Sequence, residues 1–384
     1  MISRRLFVAS GCACFAAPRL LAAPPDLPPS YEPQSSDERG MWMQMAAYEE
    51  ELKRSQFVIR DKALNDYVRG IVCRLAGPHC PDIRVYILRT PQFNASMAPN
   101  GMMEILSGLL LRMQSEAQLA AVLGHEIGHY LRQHSLKLWR DVRSKGDLLS
   151  FLGLGLALGG AYQWGQAAQL ATIASIYGFS REAEREADSV SLPMLRGAGY
   201  DTRDAARVWQ QLIAEQDATA QARGRKRRDR DPVIFATHPT SEERLARLTA
   251  AAAALPGGER HRERYMKAIE PYWVGFIDDQ VKLNDFGGTS YLLDQLGAEG
   301  WRPILLYGKG ELHRLRNKPG DLEQAAGFYR RAVAMADPPP EAYRGLGYTL
   351  IKLGERGEGR AALERYLALA PDAKDRAIVA AAMP

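Results

Sequence analysis

The chain has 384 residues, 46% of them hydrophobic and 25% charged, a balance that fits a globular chain with room for two ordinary cores. Its formal charge is +5, and Arg4, Arg5 and Arg19 supply three of those charges within the first 23 residues, which hold no acid. The remainder carries only +2, which argues against a nucleic-acid role.

Residues 1–23 have a basic start, an apolar stretch and small residues before Pro24, the layout of an export signal. Ser3-Arg4-Arg5-Leu6-Phe7-Val8 resembles the twin-arginine consensus, which implies export of a folded chain; a lipoprotein cysteine at Cys12 is the alternative. Either route leads to the periplasm, with outer-membrane association as an extension. Cys12 and Cys14 leave with the signal, so Cys73 and Cys80 are the remaining pair and can close a short disulfide loop there. Residues 24–40 are Pro-rich and polar and read as a flexible leader.

Residues 41–80 read as helix, and 83–106 as short strands around a Pro99-Asn100-Gly101 turn. Helices follow at about 116–138 and 180–196. Between them, positions 148–180 hold no charged residue. Their first part is too short and glycine-rich for a comfortable membrane span and reads as buried helix, with a peripheral membrane contact as the alternative. The basic block RGRKRRDR at 223–230 reads as a solvated loop, or one that meets anionic headgroups or acidic clients. Beyond Pro256 the pattern becomes short helices with glycine turns. Tyr343, Leu346, Gly347, Leu350, Gly359, Leu363, Tyr366 and Pro371 fall at tetratricopeptide signature offsets, and Ala325 and Tyr329 match the second helix of a preceding unit. Segments near 272–283 and 287–316 read as degenerate repeats that also dock on the first domain.

The stretch HEIGH at 125–129 carries the most chemistry. It lies mid-helix after Ser115 and Gln118, which form a capping-box pattern. On a helix His125 and His129 share a face, so both imidazoles can address one ion, with Glu126 beside them as a base. Two histidines leave a tetrahedral zinc site one protein ligand short. A third histidine ten residues on is ruled out, because positions 132 and 135 are Arg132 and Ser135. His134, on a continuous helix, falls on the face opposite His125 and cannot join the same ion; it reads as exposed or as a support behind the ligands.

The third ligand is expected in SREAEREAD at 180–188, where Glu182, Glu184 and Glu186 compete. Glu184 has Asp188 four residues on, on the same face, where a second carboxylate can hold the free N–H of a ligand histidine.

With these segments the chain resembles the HtpX-type and CAAX-protease-type gluzincin metallopeptidases, and within them a periplasmic BepA-like branch that adds tetratricopeptide repeats. The resemblance runs through FNASMAPNGMMEILSGLL, AQLAAVLGHEIGHYLRQHS, SREAEREADSVSLPMLRGAGYD and FATHPTSEERLARL. It implies His125, His129 and Glu184 as ligands of one Zn2+, Glu126 as general base and Asp188 as the supporting carboxylate. It also implies that His238 approaches the metal, either donating to the oxyanion or capping the ion. Asn94–Ala98 would be an edge strand that receives an extended peptide by backbone pairing.

The expected fold is mostly α with a small β-sheet: an α+β zincin-like metallopeptidase domain over 41–255, then an all-α tetratricopeptide-like domain over 262–384 that binds protein partners. The expected function is zinc-dependent endoproteolysis of misfolded or stalled envelope and outer-membrane proteins. The alternative is a chaperone or scaffold for outer-membrane protein assembly, its metal kept latent by His238.

Overall fold

A computed structural model describes residues 26–144, 179–225 and 242–383. The export signal, most of the uncharged stretch 148–180, most of the basic block and His238 lie outside these residues.

The segment read as a flexible leader is tied down where it is described. Leu27 is buried, and its N–H donates to the Leu131 carbonyl at 2.9 Å. Helix α1 (Ser36–Arg54) begins inside that segment, because Ser35 and Glu38 form a full capping box. The single helix read over 41–80 is two. Asp61 caps α2 (Lys62–Ala76) by accepting from Leu64 N–H. The β-branched pair Val58-Ile59 between them is extended and pairs with Leu88 and Ile87. A disulfide joins Cys73 to Cys80 at the end of α2.

The sheet has three strands, β1 (Arg84–Leu88), β2 (Ala95–Met97) and β3 (Met102–Leu106), in the order β1-β3-β2. β1 runs parallel and β2 antiparallel to β3, with Ser96 opposite Glu104. The β2–β3 turn closes at Gly101, which sits at φ 85°; a Cβ there would lie 2.1 Å from the Asp82 carbonyl oxygen. After α3 (Ser107–Arg112), Ser115 caps α4 (Glu116–Leu131) by accepting from Gln118 N–H. The Gln118 side chain turns to Gln114 N–H instead of completing the box.

The helix read as continuous to 138 breaks at Arg132-Gln133. Gln133 adopts φ 55°, and α5 (His134–Ser144) leaves in a new direction. The described chain continues with α6 (Arg181–Gly197), α7 (Arg203–Ala222), α8 (Glu242–Ala253), α9 (Arg262–Ile269), α10 (Trp273–Val281), α11 (Phe286–Leu296) and α12 (Pro303–Arg316). The segment 287–316, read as a degenerate repeat, holds two helices parted at Gly300 (φ 141°) and Pro303. α13 (Asp321–Val333), α14 (Pro340–Lys352), α15 (Arg356–Leu369) and α16 (Arg376–Ala381) complete it.

The boundary read at 255–262 is no break in the core. Tyr265, Trp273, Ile277, Leu293 and Leu305 pack in one apolar cluster with Leu109, Leu119 and Ile127. Polar contacts cross the same junction: Arg112, which pairs with Glu215 of α7, also donates to Gln280 of α10 at 3.1 Å, and Arg89 pairs with Asp279 of α10 at 2.6 Å. The second cluster centres on Tyr329, whose ring fills the space left by Gly310 and Gly345 between α12, α13 and α14.

Glu104 is buried in a third cluster, among Tyr48, Leu52, Leu88 and Met102. Burial raises its carboxyl to about 7, with the Tyr48 hydroxyl offsetting part of that cost. The folded chain therefore keeps a proton that the unfolded chain releases from about pH 4.5 upward. Stability from this group is complete below pH 4.5 and is lost as pH rises to about 7, on the order of 3 kcal/mol. Glu104→Gln is expected to raise the midpoint of chemical denaturation at pH 8 much more than at pH 5. An equal effect at both pH values would contradict this account.

Candidate metal centre

The site is built where α4 and α6 touch backbone to backbone. A Cβ on Gly128 would lie 2.9 Å from the Ala187 carbonyl oxygen, so only glycine allows this approach. That contact brings Glu184, one turn before Asp188, under the two histidines of α4.

His125 Nε2 and His129 Nε2 are 3.0 Å apart, and the Glu184 carboxylate lies 3.4 Å from each. All three side chains are buried. Donors about 2 Å from a tetrahedral ion stand about 3.3 Å from one another. The set therefore fits one divalent metal, and among the described residues it is the group whose donor atoms lie within 4.8 Å of each other. Glu126, also buried, lines the same small cavity as His125 without joining the donor triangle. Of the competing glutamates, Glu182 is exposed and Glu186 faces elsewhere.

Each histidine is held from behind. Asp188 Oδ1 stands 3.0 Å from His125 Nδ1, which directs Nε2 to the donor triangle. His129 Nδ1 stands 2.8 Å from His134 Nδ1, and His134 Nε2 stands 3.1 Å from Glu186. The break at Gln133 makes this possible, because it folds His134 back onto the face from which a straight helix would exclude it. Phe179 stacks on His129 with ring centroids 4.0 Å apart. Bracing His129 is the supporting one of the two roles that the sequence leaves to His134, whereas Glu186 reads there as a competing ligand and not as its partner, since a helical wheel contains no break.

Arg244 of α8 was also unassigned. It is buried and reaches Glu184 at 2.5 Å and Asp188 at 2.8 Å, with its guanidinium 4.3 Å from the centre of the Trp209 ring. Arg247 adds a 2.7 Å contact to Asp188. Burial opposes ionisation of Asp188, but the charge of Arg244 and the His125 hydrogen bond outweigh it and hold the carboxyl below its ordinary range. The readable signal was the i, i+3 pair Arg244/Arg247, set against three carboxylates that must be neutralised once buried.

β2 is an edge strand and packs along α4. Ser96 faces Glu104, Ala98 N–H donates to Met102, and Leu106 N–H donates to Asn94. By alternation, Ala95 and Met97 direct their main-chain groups to the open side.

His134→Ala is expected to weaken metal retention by about 10- to 100-fold, measured by competition with a chromogenic chelator. His134→Asn, which keeps a hydrogen-bonding group, is expected to recover part of that loss. Unchanged affinity in His134→Ala would remove His134 from the site.

The chain resembles known proteins across this region. It is 28% identical over 218 residues to the beta-barrel assembly-enhancing protease of Escherichia coli (strain K12), covering 54% of this chain and 43% of that protein. It is 30% identical over 175 residues to the mitochondrial metalloendopeptidase OMA1 of Arabidopsis thaliana, covering 44% of this chain and 31% of that one. The matches span less than half the length of each relative. The family model described as Peptidase family M48 matches residues 59–252, just over half of the chain and the whole of the donor set. The chain belongs to Peptidase family M48.

Proposed function

We propose that this chain is an exported zinc metalloendopeptidase that hydrolyses peptide bonds in misfolded or stalled envelope and outer-membrane proteins. The observation that carries the reading is the convergence of His125, His129 and Glu184 with Glu126 beside them and the open edge of β2 alongside. His125, His129 and Glu184 would hold zinc, whose Lewis acidity activates water and polarises a carbonyl near neutral pH. Glu126 takes the proton of the attacking water and passes it to the leaving amine. Asp188 and His134 keep the two imidazoles turned so that both Nε2 atoms remain donors.

Ala95 and Met97 would pair with the backbone of an extended substrate. Backbone pairing suits clients recognised because they are unfolded. His238 is proposed, on the sequence resemblance alone, to donate to the oxyanion or to cap the metal. The Cys73–Cys80 bond supports an oxidising compartment. No helix among the described residues is long and apolar enough to cross a membrane. The name of the E. coli relative, a beta-barrel assembly-enhancing protease, supports a role in the assembly of beta-barrel proteins. The hairpins α12–α13 and α14–α15 would serve as tetratricopeptide-like units that recruit protein partners. Those stacked hairpins also favour the second reading, a chaperone or scaffold.

Glu126→Gln is expected to retain its metal and to lose cleavage of unfolded casein by about 100-fold or more. Cleavage by Glu126→Gln at the wild-type rate would sink the peptidase mechanism. Full support of outer-membrane protein assembly by Glu126→Gln would transfer that role to the scaffold reading.

A further inference from the structure

The small cavity lined by His125 and Glu126 extends past these two groups into a part that the proton transfers do not occupy. Its walls are Ala121 and Val122 of α4, Ala205, Val208 and Trp209 of α7, and Leu248 of α8. Ala121 and Val122 stand one helical turn before His125, so the cavity continues the metal-facing strip of α4 toward its N-terminus. Ala95, the first residue of the edge strand, also lines it. A peptide paired with β2 would carry alternate side chains to each face, and one of them would meet this cavity next to the reacting carbonyl.

The walls decide what can enter. Beyond His125, Glu126 and Asp188 they are mostly apolar, with Asn94 and Ser191 the neutral polar members, so a charged side chain there would lose most of its hydration. Asp188 reaches the lining, but its oxygens already serve Arg244, Arg247 and His125. A substrate lysine would have to displace those contacts or pair with Glu126, which would take the base away from its water. The cavity measures about 30 Å³, whereas an apolar cavity that holds a benzene-sized ring measures about 150 Å³. Trp209 does not readily yield space, because the buried guanidinium of Arg244 lies against its ring while it holds Glu184 and Asp188.

We infer that this cavity is the specificity subsite of the enzyme, and that it takes a small aliphatic side chain, of alanine or valine size, adjacent to the scissile bond. The inference rests on the peptidase reading above and adds a substrate class to it. Backbone pairing along β2 selects extended chains, and this subsite selects where in them the cut falls.

The test uses the full-length mature chain with zinc. Termini released from unfolded casein are sequenced by mass spectrometry, and kcat/KM is then measured on matched peptides varied at the selected position. Wild type is expected to favour Ala or Val at one fixed position beside the cut, by about 10-fold or more over Lys, Glu and Phe. Val122→Ala, which enlarges the cavity from a half-buried site, is expected to shift the preference to Leu and Ile. Ala205→Val, which fills it, is expected to shift it to Gly and Ala. The two variants press in opposite directions, so one that fails to fold by circular dichroism leaves the other to decide. Glu126-dependent cleavage without positional preference, or with a preference that the folded variants do not move, overturns the subsite and leaves the peptidase standing. Absence of any Glu126-dependent cleavage overturns both.

Discussion

The approach of α4 to α6 at Gly128 and Ala187 is the constraint on which the rest of the site depends. Helices usually pack 8–10 Å apart, with side chains between them. Here one helix has no side chain at the crossing, and the other has only the fully buried Ala187. Glu184 can therefore reach both imidazoles while its neighbour Asp188 reaches behind one of them. Bulk at Gly128 would lever α6 outward and lengthen every donor distance together, because the donors sit on two rigid rods.

Each rod is pinned by buried charge. Glu116, in the first turn of α4 and fully buried, accepts from Tyr67, Tyr200 and Arg74 and pairs with Arg264. That ties the start of α4 to α2, to the end of α6 and to α9, and a carboxylate at this end also suits the helix dipole. At the other end the chain turns at Gln133, and His134 braces His129. Around the donors, Arg244 offsets the carboxylates of Glu184 and Asp188. Removing one member of such a group leaves an uncompensated charge in the interior, which costs far more than the intact group contributes.

Much of this was legible as pattern, and what escaped reading did so where local spacing stops mapping onto space or never did. His125, His129, Glu184 and Asp188 announce themselves because helical spacing maps sequence distance onto space wherever the helix is regular. The same rule misplaces His134, since the left-handed residue Gln133 interrupts the mapping two positions after Leu131. Arg244 was hidden for another reason: its partners are 56 and 60 residues away in sequence, and no local period encodes that. The division at 255–262 was read from a change in helix style, yet the apolar face of Trp273 and Tyr265 continues the first core. Style is a local property and core membership is not. Leu27 and the Ser35–Glu38 cap show the converse, since a proline-rich composition outweighed a capping signature that was plainly present.

The donors also have a topological meaning. His129 and Glu184 are separated by 54 residues of chain, and an ion between them would bridge the two ends of that segment. Metal binding would then act as a reversible cross-link as well as a source of chemistry, adding stability in proportion to the logarithm of free ion concentration. The entropy of closing such a loop grows only with the logarithm of its length, about 0.6 kcal/mol per doubling. Apart from the residues that brace His129, the connecting segment can thus lengthen, shorten or change composition at little thermodynamic cost, so long as its ends still meet at the ion.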